Sequence, residues 1–77
     1  MVKIISYKKL WKLLIDRDIK KQTLMKDANI SASSIAKLGR NENIQTDILL
    51  RVCVALNCNL SDIMEIVEIE TLEGNND

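Results

Sequence analysis

Residues 21–39 read KQTLMKDANISASSIAKLG, and they carry the clearest local signals in the chain. Apolar side chains recur at helical spacing on both sides of Asn29, which stands where a residue with a left-handed backbone normally ends a helix. Ser31 follows as a good N-cap, because its hydroxyl can accept a free backbone N–H of the next turn. The stretch therefore predicts two short helices, at about 21–28 and 32–39, joined by a three-residue turn.

Three further helices are predicted from the same periodicity. The first spans about residues 6–17, where apolar side chains recur every three or four positions. Thr46 is the predicted N-cap of another helix, at about 47–56. Ser61 begins a last short helix that runs to about residue 64 or 65.

The two ends of the chain alternate apolar and polar residues. This pattern, with β-branched Val and Ile at residues 2–4 and 67–70, favours short strands. An extension of the last helix is the alternative at the carboxyl end. The expected fold class is all-α: a compact domain of five helices with possible short terminal β-strands.

The chain has 77 residues, which is enough for one small core. We expect a single domain over 1–77, with its core at 6–65 and terminal segments at 1–5 and 66–77. The longest apolar runs are far shorter than the roughly 20 residues of a membrane helix, and the initial MVKIIS lacks the apolar stretch of a signal peptide. The sequence therefore predicts a soluble, cytoplasmic protein.

Charge is unevenly distributed, although the eleven basic and eleven acidic residues balance. All eleven basic residues lie within 1–51, against five acidic ones, which gives that segment a net charge of +6. Residues 52–77 carry six acidic residues and no basic one. A basic surface that attracts polyanions is one interpretation, and a scattered set of solvated lysines is the other.

The chemical inventory argues against an enzyme. The chain has no His, so it lacks Ser-His and Cys-His nucleophiles, a His general base and a His-ligated metal. Two Gly residues leave no glycine-rich phosphate loop. Cys53 and Cys58 cannot complete a four-ligand zinc site alone, and we interpret them as small hydrophobic residues in a reducing compartment. No metal or cofactor is expected.

Two short helices joined by a tight turn, in a helical chain with a basic first part, are the pattern of a helix-turn-helix. Three segments resemble the Cro and phage-repressor-type helix-turn-helix family: YKKLWKLLIDRDIKK (7–21), NISASSIAKLGRNENI (29–44) and DILLRVCVALNCNLSDIME (47–65). The resemblance covers about residues 6–65. It implies a λ-repressor-like fold that binds double-stranded DNA.

Helical geometry identifies the outward side of the helix predicted at 32–39. Ile35 and Leu38 define its buried direction. The residues nearest the opposite direction are Ser33, Ala36, Lys37 and Arg40. In a helix-turn-helix the first residues of this helix meet base edges in the major groove. The predicted base-reading residues are Ala32, Ser33, Ala36 and Lys37, and a plain solvated face is the alternative.

Less specific hydrogen-bond donors at two places are candidates for phosphate contacts. The start of the second helix offers free N–H groups and the positive end of a helix dipole. The loop after the third helix is where the family commonly grips the DNA backbone. The predicted phosphate-contacting residues are Lys20, Lys21, Gln22, Arg40, Asn41 and Asn43. The alternative is that Lys20 and Lys21 only solubilise a loop.

One recognition helix reads only a few base pairs, so we expect a homodimer on two half-sites. Ile48, Leu50 and Val54, together with the terminal segments, are candidate interface residues, unless they complete the core of the single chain. The acidic tail, which ends in EGNND, is expected to be frayed and to keep the back of the dimer off DNA.

These features predict a transcriptional regulator of a bacterial, phage or mobile-element operon, with repression favoured and activation left open. Two other functions remain open at this point. One is an antitoxin that pairs with a toxin through its acidic C-terminal third. The other is a protein-interaction module that has kept the fold and lost DNA binding.

Overall fold

The computed structural model describes residues 2–70. Within that range it is mostly helical, with four α-helices, one 3₁₀ turn and a two-stranded antiparallel sheet. The elements in chain order are β1 (Val2–Ser6), α1 (Lys8–Asp16), α2 (Lys21–Ala28), α3 (Ala32–Gly39), α4 (Thr46–Leu56), the 3₁₀ turn (Leu60–Asp62) and β2 (Glu65–Ile69). The acidic EGNND tail, for which fraying is predicted, lies outside the described residues.

The α2–turn–α3 unit confirms the prediction at both of its inner ends. Asn29 ends α2 with a left-handed backbone, at φ 55°. Ser31 is the N-cap of α3, and its Oγ accepts the backbone N–H of Ser34 at 3.1 Å. Both signals act between neighbours in sequence, so the turn forms where the sequence places it.

The predicted fifth helix is wrong, whereas the mostly helical domain and the short strands at both ends of the described chain are confirmed. Residues 60–62 make a single 3₁₀ turn, and Asn59 closes it by donating its backbone N–H to Asp62 Oδ2 at 2.9 Å. The chain then enters β2, which pairs antiparallel with β1 so that Val67 faces Ile4. The alternating β-branched residues find a partner at the opposite end of the chain, and the ladder outweighs the local helix signal.

Two helix starts also differ from the prediction. α1 begins at Lys8 rather than near residue 6, because β1 continues through Ser6, whose Oγ accepts the Lys8 N–H at 3.2 Å. Thr46, predicted as a cap, is the first residue of α4. The N-cap is Gln45, which has an extended backbone and no side-chain cap bond.

Side chains from all four helices meet in one core beneath α3. α2 and α4 lie against each other, and the 3₁₀ turn packs on α1 and α4. The buried apolar residues are Tyr7, Leu10, Leu14, Leu24, Ala28, Ile30, Ile35, Leu38, Leu49, Val52, Leu56 and Ile63. A hydrogen bond also joins the ends of α1 and α4, because the Arg17 guanidinium donates to the Leu56 carbonyl.

Each α-helix ends with the same backbone closure. An Asp or Asn with a left-handed backbone follows each one: Asp18, Asn29, Asn41 and Asn57, with φ between 52° and 58°. The next residue donates its N–H to the carbonyl five positions earlier, as in a Schellman motif, whose two facing side chains frequently touch. The facing pairs are Leu14 and Ile19, Met25 and Ile30, Lys37 and Glu42, and Cys53 and Cys58.

Candidate nucleic-acid interface

α3 turns one side to the core and the other to solvent. Ile35 is buried and Leu38 is 0% exposed. The predicted base-reading residues are all exposed: Ala32, Ser33, Ala36 and Lys37. The outer side of α3 therefore presents two methyl groups, one hydroxyl and one ammonium group.

Two serines hold the start of α3 in place. Ser31 Oγ accepts the Ser34 N–H and lies 3.2 Å from Ser34 Oγ. Ser34 is half-buried, whereas its neighbour Ser33 is exposed. The hydroxyl of Ser34 is therefore engaged in the cap, and that of Ser33 faces solvent.

An open groove of 470 Å³ runs beside α3. One wall comes from α3 and its cap, and the other comes from the following loop and the start of α4. The lining residues are Ser31, Ser33, Ser34, Lys37, Asn43, Ile44, Gln45 and Ile48. The fold thus brings the predicted base-reading Ser33 and Lys37 together with the predicted phosphate contact Asn43.

The start of α2 carries the other predicted phosphate contacts. Lys20 is the N-cap residue and gives no side-chain cap bond, and Lys20, Lys21 and Gln22 are all exposed. The ammonium of Lys21 lies 4.8 Å from the ring centre of Trp11, a cation–π contact. Lys21 and Gly39 line the same shallow pocket, so the start of α2 lies beside the end of α3.

Arg40, a predicted phosphate contact, already has an anionic partner. Its Nε donates to Glu42 Oε2, and both side chains are exposed. This hydrogen bond raises the pKa of Arg40 and is the main cause that lowers the pKa of the Glu42 carboxyl. A phosphate would have to displace Glu42 to gain the Arg40 guanidinium.

Glu42 also lies close to Lys37. The Glu42 N–H donates to the Lys37 carbonyl at 2.9 Å in the closure that ends α3. After the contribution of Arg40, the positive charge of Lys37 lowers the Glu42 pKa further. Two predicted DNA-contacting cations therefore act on one carboxylate.

Asn41 supports the loop after α3. Its backbone is left-handed, at φ 55°, and its Oδ1 accepts the backbone N–H of Tyr7 at 2.9 Å. Tyr7 is only 1% exposed, so this bond anchors the loop to the buried start of α1. Because the side-chain oxygen of Asn41 already accepts this hydrogen bond, only the side-chain NH₂ group of Asn41 is left to contact a phosphate.

Sequence reasoning missed two residues of this surface. Glu42 is not among the predicted site residues, although its place two residues after Arg40 suggests an ion pair with Arg40. Gln45 lines the groove and is the N-cap of α4. It is absent from the predicted site residues because Thr46 is the predicted cap. Both positions depend on the path of the loop, which has no periodic signal.

Two features are absent from residues 2–70, a cluster of metal ligands and a helix that could cross a membrane. No three His, Cys, Asp or Glu side chains come together there as a metal site. None of the helices in this range has the length and apolar character to cross a membrane.

Comparisons with known proteins agree with the helix-turn-helix fold. The family model of the Cro/C1-type helix-turn-helix DNA-binding domain matches residues 9–68. The chain is similar to the crystal structure of the transcriptional regulator VanUg (form II), with a TM-score of 0.80 and 49% sequence identity. That match covers 87% of this chain and 89% of the other. Curated protein sequences give no significant match.

Proposed function

The chain belongs to the family of Cro/C1-type helix-turn-helix DNA-binding domains, and we propose that it is a transcriptional repressor that binds a specific double-stranded DNA site as a homodimer. α3 enters the major groove in this proposal. The observation that carries it is the exposed side of α3, where Ser33 and Lys37 line an open groove. Repression requires only that the dimer occupy a promoter.

The outer residues of α3 supply the chemistry of base reading. The Lys37 ammonium donates to guanine O6 and N7, and the Ser33 hydroxyl pairs with either kind of base. The methyl groups of Ala32 and Ala36 contact thymine methyls. Small side chains at these positions let α3 approach the base edges closely, so that Lys37 carries most of the sequence preference.

Two clusters supply the phosphate contacts. Lys20, Lys21 and Gln22 meet the DNA backbone at the start of α2, where free N–H groups and the helix dipole favour an anion. Arg40 and Asn43 meet the backbone from the loop that follows α3. The Asn41 amide adds a donor while its oxygen holds the loop.

The decisive experiment separates base reading from phosphate binding. Bound duplexes are first selected from a random pool that includes the DNA upstream of the coding sequence. Lys37→Ala should then cost about 1–3 kcal/mol on the selected site and relax preference at one position, whereas Lys21→Ala should weaken all duplexes alike. Lys12→Ala is the matched control, because Lys12 lies on α1 and lines grooves with Ser61, Asp62 and Glu65 that include no residue of α3.

Two outcomes of this experiment would contradict the proposal. Equal losses on selected and random duplexes for Lys37→Ala would remove Lys37 from the base-reading set. A loss with Lys12→Ala as large as with Lys21→Ala would show that total charge, and not the α2–α3 surface, governs binding.

A further inference from the structure

Cys53 and Cys58 occupy the two facing positions of the closure that ends α4. The Cys58 N–H donates to the Cys53 carbonyl at 3.0 Å, and the Asn57 N–H donates to the Val54 carbonyl at 3.2 Å. With the left-handed Asn57 between them, these are the two bonds of a Schellman motif. The corresponding facing pairs at the ends of α1 and α2 are apolar, whereas α4 places two thiols there.

The two thiols occupy the facing positions of this closure, whose side chains frequently touch. Burial raises the pKa of the Cys53 thiol, and the neighbouring Cys58 raises it further. A negative charge on one sulfur is disfavoured by the other, and an S–S bond removes that repulsion.

Small molecules can reach the pair from solvent. Both thiols are free and half-buried, and they line an open groove of 310 Å³ with Leu50, Asn59 and Leu60. Within residues 2–70 no third ligand joins them to form a metal site. Oxidation is the chemistry that two adjacent thiols support by themselves.

We propose that Cys53 and Cys58 form a reversible disulfide within the chain, with a small-molecule disulfide such as oxidised glutathione as the oxidant. One cysteine thiolate attacks the glutathione disulfide, forms a mixed disulfide and releases one glutathione thiolate. The other cysteine thiolate attacks the protein sulfur of that mixed disulfide and releases the second. The two cysteine thiols lose two electrons and two protons, and the oxidant gains them as two glutathione thiols.

The bond closes a ring over residues 53–58, whose ends the backbone hydrogen bond already holds together. A cross-link that fits the folded backbone restricts the unfolded chain and stabilises the fold. Oxidation should therefore raise Tm by roughly 5–10 °C. The proposal concerns the end of α4 and does not depend on DNA binding.

The test uses the full chain at graded ratios of oxidised to reduced glutathione. Mass spectrometry should show the loss of two hydrogens without a glutathione adduct. Both thiols should become resistant to alkylation together, and dithiothreitol should restore both. Cys53→Ser and Cys58→Ser are the matched controls, since each keeps one thiol and should stop at the glutathione adduct.

A second measurement needs no oxidation. Phenylarsine oxide bridges two adjacent thiols, so one molecule per chain should protect both cysteines of the natural chain from alkylation, and the single-Ser variants should lose that protection. Accumulation of the glutathione adduct or of cross-links between chains on the natural sequence would overturn the proposal. So would failure of the arsenical to protect both thiols, or a lower Tm after oxidation.

Discussion

At the scale of single residues, Glu42 interacts with two cations of the proposed DNA surface, Arg40 and Lys37. Its carboxylate accepts a hydrogen bond from Arg40, and its backbone position in the closure of α3 keeps it beside Lys37. The Glu42 carboxyl is charged at neutral pH like other exposed glutamates, and its pKa, lowered first by the Arg40 hydrogen bond, extends that charge to more acidic pH. Any approaching phosphate therefore meets a carboxylate at this end of α3.

Replacement of this carboxylate should strengthen DNA binding. Glu42→Gln removes a negative charge and releases Arg40, so affinity for any duplex should rise by roughly two- to fivefold at low salt, the scale of exposed charge interactions. Fluorescence anisotropy with labelled duplexes measures the change. Glu68→Gln makes the same substitution on β2, beside Lys3 and far in sequence from α3, and should leave affinity unchanged. An unchanged or lower affinity for Glu42→Gln would contradict this role.

Asn41 should matter for stability more than its exposure suggests. Asn41→Ala loses the acceptor for the Tyr7 N–H and places a Cβ in a left-handed backbone that Ala disfavours, at a cost of about 2–3 kcal/mol. Asn41→Gly should cost less, because Gly tolerates the backbone, and Asn41→Asp least, because it keeps the acceptor. Urea unfolding measures the series. Asn43→Ala is the control, and a loss there equal to that of Asn41→Ala would argue against the anchor.

The sequence predicts whether a residue is buried or exposed well where the helical period alone decides it. The spacing of Ile35 and Leu38 in α3 is enough to expect Lys37 on the outer side, and Lys37 is exposed. It does not predict that the Arg40 guanidinium is engaged by Glu42. That pairing depends on the path of the loop after the left-handed Asn41, whose side chain accepts the Tyr7 N–H from 34 positions away.

At the scale of elements, long-range pairing explains where prediction fails. The α2–turn–α3 unit depends on neighbours, and the predicted bounds of both helices are those observed. The predicted fifth helix also had a local signal, at Ser61. It is overridden by the pairing of Glu65–Ile69 with Val2–Ser6, a contact between the two ends of the described chain that no local window contains.

Arg51 links α4 to the turn of the helix-turn-helix. One guanidinium nitrogen lies 3.0 Å from Asp47 Oδ2, and another donates to the Asn29 carbonyl at 3.1 Å. This bridge fixes α4 against the residue that ends α2. Arg51 belongs to the basic part of the sequence, but these contacts give it a structural role within the protein.

Loss of this bridge should affect stability and not DNA affinity. Arg51→Ala should destabilise by less than about 1 kcal/mol, because the groups are exposed, and Arg51→Lys should not restore the full value, since an ammonium cannot reproduce the two-pronged geometry. Thermal unfolding and the salt dependence of DNA binding measure the two effects. If Arg51→Ala flattens the salt slope as Lys21→Ala does, Arg51 contacts phosphate instead.

At the scale of the whole molecule, apolar side chains are exposed at several places within residues 2–70, and two of these places hold predicted interface residues. Leu50 and Val54 on α4 are 59% and 71% exposed, and Ile66 on β2 is 69% exposed. A pair of chains related by a two-fold axis would bury such a patch on both partners. The two patches give separate candidate interfaces for the proposed homodimer.

Sedimentation equilibrium should therefore detect a concentration-dependent dimer. Val54→Glu tests the α4 patch and Ile66→Lys tests the sheet, and both positions are exposed enough that the core stays intact. Only the variant at the true interface should shift the equilibrium to monomer, and it should also weaken binding to paired half-sites about 34 Å apart. A natural chain that stays monomeric at hundreds of micromolar would contradict both interfaces.

Salt dependence tests whether the charge separation along the chain serves DNA binding. Neutralising Z phosphates makes log K fall with log salt at a slope of about −0.9Z. The exposed Lys20, Lys21 and Lys37, with Arg40, would make roughly four to six contacts per protomer with their neighbours, so a dimer should lose several orders of magnitude of affinity between low and moderate salt. The double variant Lys20→Ala/Lys21→Ala should flatten the slope by about four in a dimer, since each lost contact removes about one. If random and upstream duplexes fail to bind micromolar protein at about 50 mM salt, the family fold serves protein interaction in this chain, because a surface of this charge cannot avoid nonspecific binding under those conditions.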